Sequence, residues 1–221
     1  MTHHAQQHAV AVQLEAGRQR LNGDLVFPDA ARGIVVFAHG SGSSRRSPRN
    51  RFVAGQLNDA GMATLLMDLL TRHEEQRDQW TGELRFDIPL LAERVEAAMR
   101  YVGEEASLRD LPLGLFGAST GAAAALVAAA RRGPGVGAVV SRGGRPDLAG
   151  EALTKVQSAT LLIVGGADRE VLGLNEQALE RLECPKKLEV VPGATHLFEE
   201  PGALGQVARL AREWFRQRLA A

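Results

Sequence analysis

Short apolar runs alternate with amphipathic stretches along most of this chain, and the alternation predicts a parallel β-sheet covered by helices. The first two runs, 9–16 and 19–28, are joined by Gly17 and Arg18 and predict an antiparallel hairpin. The later runs are short and apolar and end at glycine or a polar residue, as buried strands do. They bring the total to about eight strands and cover residues 33–38, 63–68, 113–117, 137–141, 160–166 and 187–193.

Helical periodicity fills the intervals between these strands. Ser47 and Pro48 supply an N-cap and a first-turn proline. The segment 119–132 is small and apolar on nearly every side, which predicts the most buried helix. Further helices are predicted by apolar stripes at Phe52, Val53, Leu57 and Ala60; at Ile88, Leu91, Val95, Met99 and Val102; at Val171, Leu174, Ala178 and Leu182; and at Leu204, Val207, Ala211, Trp214 and Phe215. The 221 residues suit a single α/β domain, with residues 1–7 as a loose N-terminal tail.

Charge and composition narrow the range of partners. Lys and Arg together number 26, as do Asp and Glu, so no net field attracts nucleic acid or an anionic membrane. The N-terminal segment lacks the basic start and apolar core of a secretory signal, and the longest apolar run is too short for a bilayer. Cys184 is the only cysteine, and its setting indicates a packing residue. We expect a soluble, cytoplasmic protein with no nucleic acid, membrane or required protein partner.

The segment 117–121 contains a serine between two glycines and matches the pattern G-x-S-x-G. A predicted strand leads directly into it and a predicted helix follows at once, which is the setting that a nucleophilic serine turn requires. Glycines at 117 and 121 allow the two segments to pack closely around the strained turn at Ser119. We therefore predict Ser119 as a catalytic nucleophile.

A serine nucleophile needs a histidine base that is oriented by a carboxylate. His196 follows the last predicted strand, and Asp168 follows the strand before it, with Glu170 as the nearest substitute. The chain order Ser119, Asp168, His196 is that of an α/β-hydrolase triad. Asp168 also suits the N-cap of the following helix, and the two roles are compatible. The other histidines lie in the polar N-terminal tail (His3, His4 and His8), before a glycine turn (His39) and in the polar stretch 70–87 (His73).

The turn after the strand 33–38 supplies exposed backbone amides. We predict an oxyanion hole formed by the N–H groups of Ser41 and Thr120. A nucleotide site is the rival interpretation, since Gly40-x-Gly42 follows a strand, but Arg45 occupies its third glycine position. The stretch that begins at His73 fails the H-E-x-x-H zinc pattern, and the chain has no Walker sequence. We expect neither a cofactor nor a metal.

The segments 39–50, 117–126, 141–149 and 165–175 together resemble the α/β-hydrolase superfamily, and most closely its compact branch related to dienelactone hydrolase. The resemblance covers essentially the whole chain. It implies an eight-stranded, mostly parallel sheet with helices on both faces and a covalent acyl-enzyme mechanism. Dienelactone hydrolase itself uses a cysteine where this chain has Ser119, and its pattern of substrate-binding arginines has no convincing match here. The resemblance therefore implies a serine esterase, and the dienelactone substrate is not carried over.

Substrate preference is indicated by fewer residues. The stretch 141–149 leaves no room for a large cap domain, which predicts an open site for short, soluble esters. Lactones and phosphotriesters are alternative substrates for the same triad, and a noncatalytic hydrolase-like protein that binds a small ligand or a protein partner is the second class of function. Arg142 and Trp80 are candidate substrate-binding residues. The stretch 70–87, with Trp80 and Phe86, is expected to form either a solvated surface loop or the rim of the pocket.

A run of arginines at 45–51 surrounds the predicted start of a helix, where the helix dipole disfavours positive charge. Either neighbouring glutamates compensate these charges or the arginines recognise an anionic substrate. The same two alternatives apply to Arg142, which follows the end of a predicted strand.

Overall fold

The computed structural model of the protein describes residues 9–219 and consists of one sheet with helices on both faces. The strands are β1 (Val10–Ala16), β2 (Gln19–Val26), β3 (Ile34–Ala38), β4 (Ala63–Met67), β5 (Leu113–Ala118), β6 (Ala138–Arg142), β7 (Ala159–Gly165) and β8 (Lys186–Val191). The α-helices are α1 (Pro48–Asp59), α2 (Arg72–Thr81), α3 (Ile88–Glu104), α4 (Thr120–Arg132), α5 (Arg169–Arg181) and α6 (Ala203–Arg218). Short 3₁₀ segments cover Leu84–Phe86, Gly133–Gly135 and Pro146–Lys155.

The eight strands lie in the order β1-β2-β4-β3-β5-β6-β7-β8. β2 pairs antiparallel with both β1 and β4, and every pairing from β4 to β8 is parallel. The predicted hairpin and the mostly parallel sheet are confirmed. From β3 the chain first adds β4 on one side and later adds β5 to β8 on the other, so the order reverses between β3 and β5. Ligands of open α/β sheets bind at such a reversal, beyond the carboxyl ends of the strands.

Each face of the sheet has its own apolar core. In β3, Ile34 and Val36 pack on the face covered by α3, α4 and α5, while Val35 and Phe37 pack on the face covered by α1 and α6. This alternation follows from the two-residue period of a strand. α4 is the most buried helix, as its small apolar sequence predicts. Only residues 143–145 lie between β6 and the next 3₁₀ segment, so no large cap is inserted there.

Two predictions differ from the structure. The stretch 70–87 is largely helical, because Thr71 and Glu74 form a capping box at the start of α2. Phe52 belongs to the predicted apolar stripe of α1, yet its side chain is 45% exposed. The predicted tail, 1–7, and its histidines lie outside the described residues. No helix in the described range is both long and apolar enough to cross a bilayer.

Candidate active site

Ser119 lies on a sharp turn between β5 and α4. Its backbone has φ 50° and ψ −123°, a conformation that costs a non-glycine residue roughly 1–3 kcal/mol. The flanking glycines are required by close packing: a Cβ on Gly117 would lie 2.3 Å from Ala122 Cα, and one on Gly121 would lie 2.4 Å from the carbonyl oxygen of Ala38. The turn places Ser119 at the carboxyl edge of the sheet, at the N-terminus of α4.

The sheet brings Asp168 and His196 to the same edge. Asp168 lies between β7 and α5, and His196 follows β8. His196 Nδ1 and Asp168 Oδ2 are 2.7 Å apart. Because a carboxylate only accepts, Nδ1 carries a proton, and in the neutral ring Nε2 is then the nitrogen with the lone pair. Asp168 occupies the N-cap position of α5, but its side chain makes no capping hydrogen bond. The exposed substitute, Glu170, makes no hydrogen bond to His196 within the described residues.

Ser119 and His196 line one cavity of about 180 Å³, together with Arg142, Arg49 and Asn50. We name this cavity the serine cleft. The hydrogen bonds within residues 9–219 include none between Ser119 Oγ and the His196 ring. Catalytic hydrogen bonds are commonly long in ligand-free enzymes and shorten when substrate binds. The structure thus brings the three predicted triad residues to one edge of the sheet, with the Asp168–His196 bond formed.

The loop that carries His196 has a strained backbone and is held in place by hydrogen bonds. Phe198 has φ 56°, and its amide donates to the Thr195 carbonyl at 3.2 Å. The Thr195 hydroxyl donates to Glu200 at 2.6 Å, and this bond lowers the pKa of that carboxyl. Two of the three non-glycine residues with positive φ in the described range, Ser119 and Phe198, therefore lie at or near the cleft, where such strain is common at functional sites; the third, Ala30, lies between β2 and β3.

The residues predicted to form the oxyanion hole are neighbours of the serine: Thr120 follows it in sequence, and Ser41 lines the serine cleft with it. Gly40 packs so closely that a Cβ there would lie 3.0 Å from Ser119 Cβ. The hydroxyls of Ser41 and Thr120 are 3.0 Å apart, and Ser41 Oγ also donates to the Arg85 carbonyl at 3.3 Å. Neither the Ser41 amide nor the Thr120 amide donates to another group in the described part of the chain. These two amides thus have no hydrogen-bond partner within residues 9–219, as the donors of an oxyanion hole would in a ligand-free enzyme.

His39 has a structural role that sequence reasoning did not identify. Its Nε2 accepts from the Leu69 amide at 3.0 Å, and its Nδ1 lies 2.8 Å from the Gly40 carbonyl oxygen, to which it donates. Burial lowers the pKa of His39 and keeps the ring neutral. Both ring nitrogens are occupied, so His39 joins the ends of β3 and β4 and is not available as a base.

A second cavity of about 200 Å³ lies under α2, and we name it the α2 cavity. Ser41 lines both it and the serine cleft, and Thr120 lines the α2 cavity alone. Trp80 is 91% exposed and is not among the residues that line either cavity. Arg142 is 6% exposed at the end of β6 and lines the serine cleft. The structure thus brings one of the two candidate substrate-binding residues to the site.

The arginines at 45–51 are compensated mainly by aspartates, where the sequence suggested glutamates. Asp24 lies within β2, Asp68 directly follows the neighbouring strand β4, and Glu199 is the one glutamate that contributes in the described range. Arg46 makes no ion pair within the described range. The pairs are Arg45–Asp24 at 3.2 Å, Arg45–Asp68 at 2.5 Å, Arg51–Asp24 at 3.3 Å and Arg49–Glu199 at 3.2 Å.

Several known proteins are similar to this chain in sequence or in fold. A putative phosphoribosyl transferase from Mycobacterium tuberculosis is 56% identical over 204 residues, which are 92% of this chain and 45% of that protein. The chain thus spans less than half the length of these relatives. The crystal structure of a dienelactone hydrolase from Anabaena variabilis is 57% identical, with a TM-score of 0.94 over 96% of this chain and 98% of that one. Est1E from Butyrivibrio proteoclasticus shares the fold at 16% identity, with a TM-score of 0.80 over 96% and 99% of the two chains.

The family model of the dienelactone hydrolases matches residues 21–219, from the second strand of the hairpin to the last helix. The match includes the serine turn and the Asp168–His196 pair. The chain therefore belongs to the dienelactone hydrolase family, a group of α/β-fold hydrolases.

Proposed function

We propose that this protein is a serine hydrolase that cleaves small, soluble carboxylic esters through Ser119, His196 and Asp168. One observation carries the proposal. The 2.7 Å bond to Asp168 holds a ring proton on His196 Nδ1, so the neutral imidazole has its lone pair on Nε2, and His196 and Ser119 line one cleft. A neutral imidazole nitrogen beside a serine on a strained turn is the arrangement that activates a hydroxyl.

The proposed reaction has two halves. Ser119 Oγ attacks the ester carbonyl carbon and gives its proton to His196 Nε2, while the carbonyl electron pair moves onto oxygen. The amides of Ser41 and Thr120 bind this oxyanion. The tetrahedral intermediate then collapses: the bond from carbon to the alkoxy oxygen breaks, and Nε2 returns the proton to the departing alcohol. Water repeats the sequence on the acyl-enzyme, which releases the acid and restores the serine.

The sizes of the two cavities favour short substrates. Volumes of about 180 Å³ and 200 Å³ lie below the range of roughly 300–1,000 Å³ that holds drug-sized ligands. Acyl chains beyond about ten carbons would extend into solvent and gain little of the roughly 0.8 kcal/mol that each buried methylene provides. Lactones contain the same bond and phosphotriesters a similar electrophile, so both belong in a substrate panel.

Steady-state hydrolysis of such a panel by the wild-type protein and by Ser119→Ala tests the proposal. We expect activity on acetate and butyrate esters, and a loss in Ser119→Ala of about 10³-fold or more in kcat. Full esterase activity in that variant would reject the nucleophile. A folded wild-type protein that cleaves no member of the panel would favour the noncatalytic alternative.

A further inference from the structure

Asn175 is a polar residue in the apolar face of α5. The buried residues of this helix are Val171, Asn175 and Ala178, and Asn175 is 0% exposed. Its side-chain nitrogen lies 3.0 Å from the Gly144 carbonyl oxygen and 2.8 Å from that of Val171. Because carbonyl oxygens only accept, the NH2 group faces both of them and donates one hydrogen to each. The Oδ1 atom is buried and has no hydrogen-bond partner in the described range.

A packing role alone does not account for an amide at this position. A buried acceptor without a hydrogen bond is costly, and a leucine of similar size would bring no unpaired polar atom into the core. The bond to Val171 stays within α5, where such a side-chain bond to the preceding turn adds little to a helix. The bond to Gly144 reaches a segment 31 residues away. The function of the amide is therefore to be sought at Gly144.

The segment that Asn175 binds also holds the nucleophile. We name residues 143–145, which follow β6, the 143–145 loop. The Ser119 amide donates to the Arg142 carbonyl at 3.3 Å, directly before this loop, and the Arg145 amide donates to the Ser119 carbonyl at 3.1 Å. The strained backbone of Ser119 is thus hydrogen-bonded through its N–H and through its C=O to the two residues that flank the centre of this segment. A shift of the loop would therefore move the serine turn with it.

The same loop lies close to the proposed base. A Cβ on Gly143 would lie 3.1 Å from the His196 carbonyl oxygen and 3.7 Å from the ring atom Cε1. The loop is equally close to α4, since a Cβ on Gly144 would lie 2.6 Å from the Cβ of Ala122. The loop therefore lies between the helix that follows Ser119 and the loop that carries His196.

Asn175 connects this loop to the helix that begins directly after Asp168. We propose that Asn175 is a positioning residue: it fixes the 143–145 loop, and through the loop it keeps Ser119 and His196 in the relative position that proton transfer requires. Precision of this kind matters because a misplacement of about 1 Å costs on the order of 10²-fold in rate. This inference rests on the proposed esterase function and adds a residue to the machinery that supports it.

Asn58 offers a matched control for the test. It is also a buried asparagine, 7% exposed, and its Nδ2 donates to the Met62 carbonyl at 2.9 Å and to the Thr64 hydroxyl at 3.0 Å. Both partners lie at the start of β4, at the edge of the sheet opposite to the serine cleft. Asn58→Leu therefore removes a comparable pair of buried hydrogen bonds and should lower Tm without changing kcat.

Steady-state hydrolysis of a neutral acetate ester is compared in the wild type, Asn175→Leu and Asn58→Leu, well below the Tm of each. We expect Asn175→Leu to lower kcat by about 10- to 100-fold and to change KM by less than about threefold, because the lost precision concerns the transition state. Labelling of Ser119 by a fluorophosphonate should slow in the same proportion. Wild-type kcat in Asn175→Leu, or an equal fall in Asn58→Leu, would overturn the proposal. If Asn175→Leu is not folded, Asn175→Ala and Asn58→Ala, which add no volume, replace the pair with the same expectations.

Hydrogen–deuterium exchange, measured by mass spectrometry on peptides that contain the 143–145 loop, needs no turnover and separates this proposal from the esterase function. The Gly143 amide donates to the Ile163 carbonyl at 2.8 Å, and the Arg145 amide is bound to Ser119. Asn175→Leu should speed exchange of these two amides by about 10-fold or more, and Asn58→Leu should leave it unchanged. A fall in kcat without faster exchange here would overturn the proposal.

The two failures give different results. Faster exchange in Asn175→Leu, in a protein whose wild type cleaves no ester, would keep the connection from α5 to the 143–145 loop and reject the esterase. Ester cleavage by the wild type, with the same kcat and the same exchange in Asn175→Leu, would keep the esterase and reject the positioning role.

Discussion

Replacing Gly121 by alanine should damage the active site more than the fold. The new Cβ would lie 2.4 Å from the carbonyl oxygens of both Ala38 and His39. Ordinary contacts begin near 3.5 Å, so α4 and the end of β3 must separate by about 1 Å, and neither contact is with a flexible side chain. Overpacking of this kind costs roughly 1–3 kcal/mol. A displacement of about 1 Å between Ser119 and its oxyanion donors costs on the order of 10²-fold in rate.

The assay for Gly121→Ala combines kcat/KM on a neutral acetate ester with thermal unfolding. We expect a loss of about 10²-fold in kcat/KM and a fall in Tm of roughly 2–12 °C for a chain of this length. Gly55→Ala is the matched control, because a Cβ added to this α1 glycine would have nothing within 4 Å. That variant should gain stability, by about 0.5–1 kcal/mol. Wild-type kinetics and Tm in Gly121→Ala would refute the packing argument.

Further predictions test the triad, a buried histidine and the α2 segment. Asp168→Asn should lower kcat by about 10⁴-fold with little change in Tm, because His196 loses the correct tautomer. A small loss of kcat, measured by steady-state kinetics, would argue against Asp168 as the carboxylate that orients His196. Burial depresses the pKa of His39 below its ordinary 6.5, so its contribution to stability is complete above that pH and is lost as pH falls toward the folded-state pKa. The free energy of unfolding, measured with urea, should therefore fall less between pH 7 and pH 5 in His39→Gln than in the wild type. Equal falls in the two proteins would count against a buried, neutral His39. Asp78 accepts from the Arg85 amide at 3.1 Å and from its Nε at 2.7 Å, so Asp78→Ala should speed limited proteolysis within 70–87, and unchanged cleavage would show that this contact does not hold the segment.

The sheet and the order of the candidate triad could be predicted because both depend on local pattern. Buried strands in a parallel sheet are short apolar runs, and all eight predicted runs are strands. Ser119, Asp168 and His196 each follow such a run, and parallel strands end at one edge. Proximity therefore follows from topology, without knowledge of side-chain packing.

The features that were not predicted depend either on a local cap in a polar segment or on contacts between distant segments. Helix α2 was missed because its residues are almost entirely polar, and its start is fixed by the capping box at Thr71. That Arg142 makes no ion pair within the described range could not be read from the sequence either, since 26 acidic residues offered possible partners. The same limit applies to His39, whose partner Leu69 lies 30 residues away.

Covalent labelling of the intact protein with a fluorophosphonate tests the central claim most directly, because only an activated serine reacts rapidly with this reagent. We predict one adduct, located on Ser119 by peptide mass spectrometry, which is absent in Ser119→Ala and forms much more slowly in His196→Ala. An unlabelled wild-type protein that is folded, or an adduct on a different residue, would contradict the claim that Ser119 and His196 act as one catalytic unit.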